Sequence, residues 1–145
     1  MTLNVHKFAA IKGRQSGDDY YTVVCEMAII PRLFLFNEAT IPTELRAQRH
    51  INKSRIPEMA RYIVDNPKNY IFSALTASID GNVSFKPLRL NGKDSEVGEL
   101  EIAGDAKLMI NDGQHRRAAI EKALSENPDL AKDTVAVVFF KDKGL

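Results

Sequence analysis

Two short stretches carry most of the chemistry this chain can offer. The first is Asn111-Asp112-Gly113-Gln114-His115-Arg116-Arg117, which follows an apolar run, Lys107-Leu108-Met109-Ile110, and precedes a helical pattern. A helix start presents unpaired N–H groups and the positive end of the helix dipole, so anions bind there readily. Gly113 lets a phosphate approach the backbone, and the planar fork of Arg116 matches phosphate oxygens. His115 can donate to phosphate or move a proton, and Asp112 can hold Mg2+ or orient a water. The same residues have a plainer reading, in which Asp112 caps the helix, Gly113 relaxes the turn and both arginines are solvated. The segment is neither a Walker A loop nor a G-x-G-x-x-G fingerprint.

The second stretch is Arg46-Ala47-Gln48-Arg49-His50-Ile51-Asn52-Lys53-Ser54-Arg55. Between Glu44 and Tyr62 five Lys/Arg residues face two glutamates, and the run meets a helix start. It can clamp the phosphates of a nucleotide or of DNA; a charged approach to an exposed helix is the plainer alternative. Together the two stretches suggest one anion site assembled from distant parts of the chain. Other constellations are weaker. His6, His50 and His115 lack zinc-site spacing, and Cys25 lies in an apolar strand where a core thiol is expected. The aromatic residues read as core, with Tyr62 and Tyr70 flanking the basic helix.

The elements that must hold these residues follow from periodicity. Leu3 to Ile11 and Tyr20 to Ile30 read as strands around a polar turn at 13–19, and Pro31 ends the second. Ile56, Met59, Ala60, Ile63 and Val64 mark one helix face, with Ser54 as N-cap, Pro57 in the first turn and Asn66-Pro67 as the stop. Tyr70 to Ile79 reads as a strand, and Asp80-Gly81-Asn82 as a hairpin turn into Val83 to Leu90. The five acids between Asp94 and Asp105 read as a solvated connection. Lys107 to Ile110 as strand, Gln114 to Ser125 as helix and Thr134 to Phe140 as strand make a βαβ-like unit. The class is α+β, a mixed sheet with a few helices.

Composition sets the outer bounds. The chain has 145 residues, 44% hydrophobic and 27% charged, with 20 Lys+Arg against 19 Asp+Glu. That length suits one domain, 1–145, and the near-zero net charge excludes a polybasic protein while allowing a local basic face. No apolar run is long enough to span a membrane, and the first ten residues do not read as a secretory signal. With one cysteine and no internal disulfide to form, the sequence suggests a cytoplasmic location.

At Asp112-Gly113-Gln114-His115-Arg116 the sequence resembles the DGQHR-domain family, to which DndB-like DNA sulfur modification proteins belong. The resemblance extends over most of the chain through Gln48 to Ile56, Tyr62-Ile63, Tyr70-Ile71-Phe72 and Val137-Val138-Phe139-Phe140. Members of that family are usually longer, so the resemblance implies an N-terminal portion of a larger protein. More distantly, Gly113-Gln114-His115-Arg116 is similar to the Gly-x-x-Arg phosphate turn of the ParB and sulfiredoxin superfamily. Gln48-Arg49 resembles the upstream box that completes the site in ParB. The sulfiredoxin cysteine has no counterpart in this turn.

The resemblance implies a ParB/sulfiredoxin-like nucleotide-binding core in a DNA-binding regulator of phosphorothioation. In that reading Gly113, Gln114, Arg116, Arg49 and Gln48 contact the phosphates of ATP or another NTP, with Mg2+ at Asp112. Arg46, Lys53, Arg55 and Arg61 contact DNA. The alternative is an ATPase, coupled to DNA nicking or to modification, with Asp112 and His115 as its catalytic pair. Further expectations are other DNA sulfur modification proteins as partners, through an edge strand near the C-terminus, no membrane, and oligomerisation through the C-terminal portion.

Overall fold

Residues buried at every second position build a sheet. Val23 and Cys25, then Leu75, Ala77 and Ile79, then Val135, Val137 and Phe139 are all buried, with more exposed residues between them. That period of two is what a strand requires. The computed structural model describes residues 5–34 and 55–142. Among the described residues the class is α+β, a seven-stranded mixed sheet with three helices.

The chain divides into two compact units. One comprises Met1–Cys25, Ser73–Asp112 and Thr134–Leu145, and the other Glu26–Phe72 and Gly113–Asp133.

The first unit carries the strands: β1 (Val5–Gln15), β2 (Asp18–Glu26), β3 (Leu75–Asp80), β4 (Val83–Leu90), β5 (Lys93–Ala103), β6 (Lys107–Asp112) and β7 (Thr134–Lys141). Their order is β4-β5-β1-β2-β7-β3-β6. The pairs β1–β2, β1–β5, β4–β5 and β3–β6 are antiparallel, and β3–β7 is parallel. This sheet must curl. Five strand spacings separate β3 from β4, about 24 Å if flat, yet only Gly81 and Asn82 connect them. A two-residue link reaches at most about 11 Å. The curl brings the rings of Tyr21 on β2 and Phe85 on β4 to 5.6 Å, although two strands intervene. Phe8 and Phe139 meet at 6.2 Å across β2.

Four expectations are corrected here. Asp80-Gly81-Asn82 reverses the chain but does not make a β3–β4 hairpin, because those strands are not neighbours. Gly81 has φ +151° and abuts Ala106, and the Asn82 carbonyl accepts from Ala103 N–H at 2.9 Å, which delivers the chain to β5 instead. The hairpin turn that β4 does make is Asn91-Gly92, into β5, with φ +54° and +76°, the left-handed pair that a type I′ turn demands. The acidic stretch after it is the eleven-residue strand β5, not a loop. Leu100 and Ile102 point into the core while the glutamates beside them face out.

The βαβ-like unit also fails as a parallel crossover. β6 is antiparallel and β7 parallel to the strand between them, β3, so β6 and β7 run in opposite directions. Finally, Tyr70 to Ala74 is irregular, and β3 starts only at Leu75.

The second unit is helical. A 3-10 turn at Met27–Ile29 leads into the short α1 (Ile30–Leu33), with Pro31 at its start. α2 spans Arg55–Asp65, α3 spans Gln114–Glu126, and a 3-10 turn follows at Pro128–Lys132. Ser54, the expected N-cap of α2, lies outside the described residues. Ala60 and Ile63 of α2 and Ala119 and Ala123 of α3 are buried together with Leu130. Met59, Val64, Tyr70, Phe72 and Leu124 pack around them. Small residues at the contact let the two helices approach closely. Both predicted helix stops hold: Asn66 Nδ2 donates to the Tyr62 carbonyl at 2.8 Å, and Asn127 Oδ1 accepts from Asp129 N–H.

A candidate anion-binding turn

The turn at Gly113 is shaped by the strand before it and the helix after it. β6 pairs along β3, with a register shift between Thr76 and Ala77, and Asn111 Nδ2 donates to Ser78 Oγ at 2.5 Å. The strand therefore ends firmly at Asp112, whose residue surface is exposed. Gly113 is buried, with φ +114° and ψ +19°, a conformation that side-chain-bearing residues rarely adopt. Its carbonyl accepts from Arg117 N–H at 2.8 Å, the first bond of α3.

The helix opens on glycine: Gly113 is the N-cap, and the first turn holds no acid. Asp112 stands one residue before that N-cap. Gln114, His115 and Arg116 occupy the first turn instead, all half-buried. N–H groups there have no acceptor within the helix, and the dipole adds partial positive charge. Arg116 stands in the same turn, with Asp112 one residue before the N-cap.

The two adjacent arginines differ sharply. Arg117 is 8% exposed. Its Nε donates to the Phe34 carbonyl at 2.6 Å and one Nη to the Pro31 carbonyl at 3.2 Å, while the other pairs with Glu121 at 3.0 Å. It closes the carbonyl end of α1, and so is not the solvated arginine expected of it. The only sequence signal for this was Glu121 four residues on, a spacing that pairs charges on a helix.

The basic stretch is placed only in part. Arg46, Gln48, Arg49, His50 and Lys53 lie outside the described residues. Arg55 is exposed at the start of α2. Arg61 is exposed too and holds Asp65 at 3.4 Å. Six residues apart, the two sit about 120° from each other around the helix, so they do not form a single basic face.

Tyr70 and Tyr62 are both engaged. Tyr70 donates its phenol proton to Asp133 at 2.5 Å and lies 3.7 Å from Met27 Sδ. Burial, then the hydrogen bond and charge of Asp133, push its phenol above the ordinary tyrosine range. Tyr62 Oη accepts from Ile71 N–H at 2.9 Å. Cys25 is buried, and burial pushes its thiol up to about 12, which suits a core residue rather than a nucleophile. Among the described residues no three His, Cys, Asp or Glu side chains gather as a metal site, and no helix is long and apolar enough to cross a membrane.

A family model described as DndB, DNA-sulfur modification-associated, matches residues 8–145, and the chain belongs to that family. No curated protein and no solved structure matches it.

Proposed function

We propose that this DndB-family chain acts in DNA sulfur modification as a DNA-binding regulator, and that the turn at Gly113 binds the phosphates of a nucleotide. One observation carries the reading: α3 starts on a left-handed glycine with no acid in its first turn and with Arg116 there instead. A glycine-opened helix start with no acid in its first turn is a ready anion site.

Gly113 and Gln114 offer backbone approach, and Arg116 the guanidinium fork. Gln48 and Arg49 complete the phosphate contacts, as the ParB-like pattern of the sequence suggests. The residues fit a nucleotide better than a resident metal. Mg2+ would arrive with ATP or another NTP and take Asp112 as its protein ligand, since Mg2+ commonly binds through one carboxylate plus substrate phosphates. Arg46, Lys53, Arg55 and Arg61 serve the DNA backbone. The Arg61–Asp65 pair is exposed, and such pairs are worth at most about 1 kcal/mol, so a DNA phosphate can replace the carboxylate.

Titration calorimetry with ATP and CTP tests the turn. Arg116→Ala should weaken binding at least about tenfold, and unchanged affinity removes Arg116 from the site. Phosphate release from ATP with Mg2+, abolished by His115→Ala, would instead make the chain an ATPase with Asp112 and His115 at its centre.

A further inference from the structure

The sheet unit leaves an apolar stripe in water. Ile11 on β1 lies directly opposite Val97 on β5 and Thr22 on β2, so these three side chains share one face. Val24, two residues beyond Thr22, alternates onto the same face. Leu88 and Leu90 follow on the neighbouring edge strand, β4. Ile11, Val24, Leu88, Leu90 and Val97 are each between 44 and 64% exposed. Side chains of this size left half uncovered across four adjacent strands make a patch of several hundred Å2, the scale at which exposed apolar surface marks an interaction site.

We propose that this face pairs with a second copy of the chain. The charges along it decide the partner. Lys7 lies opposite Glu101, and Lys86 lies opposite Glu99 and reaches Glu101 at 3.6 Å. Glutamates within the patch oppose a polyanion such as DNA, and the interspersed lysines oppose a uniformly basic partner. A surface carrying both signs suits a copy of itself turned by a two-fold axis, where each acid can meet a base.

Laid flat, four strands at about 4.8 Å spacing and up to about 35 Å long would present at most roughly 700 Å2. The curl of the sheet offers a partner less than the about 800 Å2 of a standard interface, which makes the pairing a weak, concentration-dependent one. Pairing by this face rather than through the edge beside it follows from β4. Pro87 has no N–H to offer, and the register shifts between Pro87 and Arg89, so this strand makes a poor edge for extending the sheet.

Sedimentation velocity over a concentration series tests the proposal. The chain should run as a dimer, and Ile11→Glu with Val97→Glu should weaken the dimer at least about tenfold by placing like charges at its centre. Val24→Glu, at the most exposed of these positions, is the second variant should the first fail to fold. Because Cys25 is buried, Val97→Cys supplies a single accessible thiol, and mild oxidation should link two copies through it. A wild-type chain that stays monomeric at about 200 µM overturns the proposal, and so does a dimer indifferent to both charge variants.

Discussion

The two units are held together by different means. The sheet unit relies on ladders and a continuous apolar inner face, from Leu100 and Ile102 through Val23 and Cys25 to Phe139 and Ile79. The helical unit has an apolar centre too, with Met27, Ile30, Phe34 and Ile120 buried as well as a cluster in which three of five residues are alanines. Polar clasps across long sequence separations supplement it. Arg117 holds the carbonyls of Phe34 and Pro31, and Tyr70 holds Asp133, whose own carbonyl accepts from Met27 N–H at 2.7 Å. Burying apolar area is tolerant of detail, whereas a buried polar group is costly once its partner goes. The helical unit should therefore be sensitive to conservative changes that the sheet unit would absorb.

Three substitutions sharpen or break that contrast. Phe139→Ala removes a fully buried ring packed against Phe8 and should cost about 3–5 kcal/mol. Urea unfolding measures it, and hydrogen exchange should rise first in β2, β7 and β3. Arg117→Met keeps much of the volume but strands the carbonyls of Phe34 and Pro31, for about 2–3 kcal/mol. Exchange should then quicken at 27–34 and 114–126; a loss below about 0.5 kcal/mol, the size of a surface change, would show that the clasp holds nothing.

Tyr70→Phe is the smallest, about 1 kcal/mol near neutral pH. Its signature is the pH dependence. The folded phenol titrates above its ordinary value near 10 because of burial and then Asp133. Its stabilisation is complete below pH 10 and is lost as pH rises toward the folded value. Wild type should therefore lose stability above pH 10 more steeply than Tyr70→Phe; parallel profiles would remove the Tyr70–Asp133 bond from the account.

This division also explains what could be read from the sequence. Helices α2 and α3 were legible because Met59, Ala60, Ile63 and Val64, then Ala119, Ile120 and Ala123, repeat with a helical period. Most strands were legible for the equivalent reason. Strand β5 was not, because its outward acids masked the inward Leu100 and Ile102, and the Asn91-Gly92 turn that begins it was passed over for Asp80-Gly81-Asn82. Both turns reverse the chain, but local turn chemistry does not say which strand receives it. The Gly113 turn was legible as a place, because Asn111-Asp112-Gly113 separates an apolar strand from a helical period. Arg117 and Tyr70 were opaque. Their partners lie 83 and 63 residues away, and no local period encodes them.

The position of β7 has a consequence for how the chain is made. Strand order places this strand, which follows all the others in sequence among the described residues, between β2 and β3. A nascent chain that has emerged only as far as β6 can form β4-β5-β1-β2 and, separately, the β3–β6 pair, with nothing to bridge them. Each fragment exposes a strand flank that the finished sheet covers, β2 on one and β3 on the other. During synthesis those flanks stay open while the intervening helix and turn are added, the interval in which unpaired strands are most prone to join the wrong neighbour. Arrival of Thr134–Lys141 then closes both at once, so a strand made after all its neighbours acts as the keystone of the sheet.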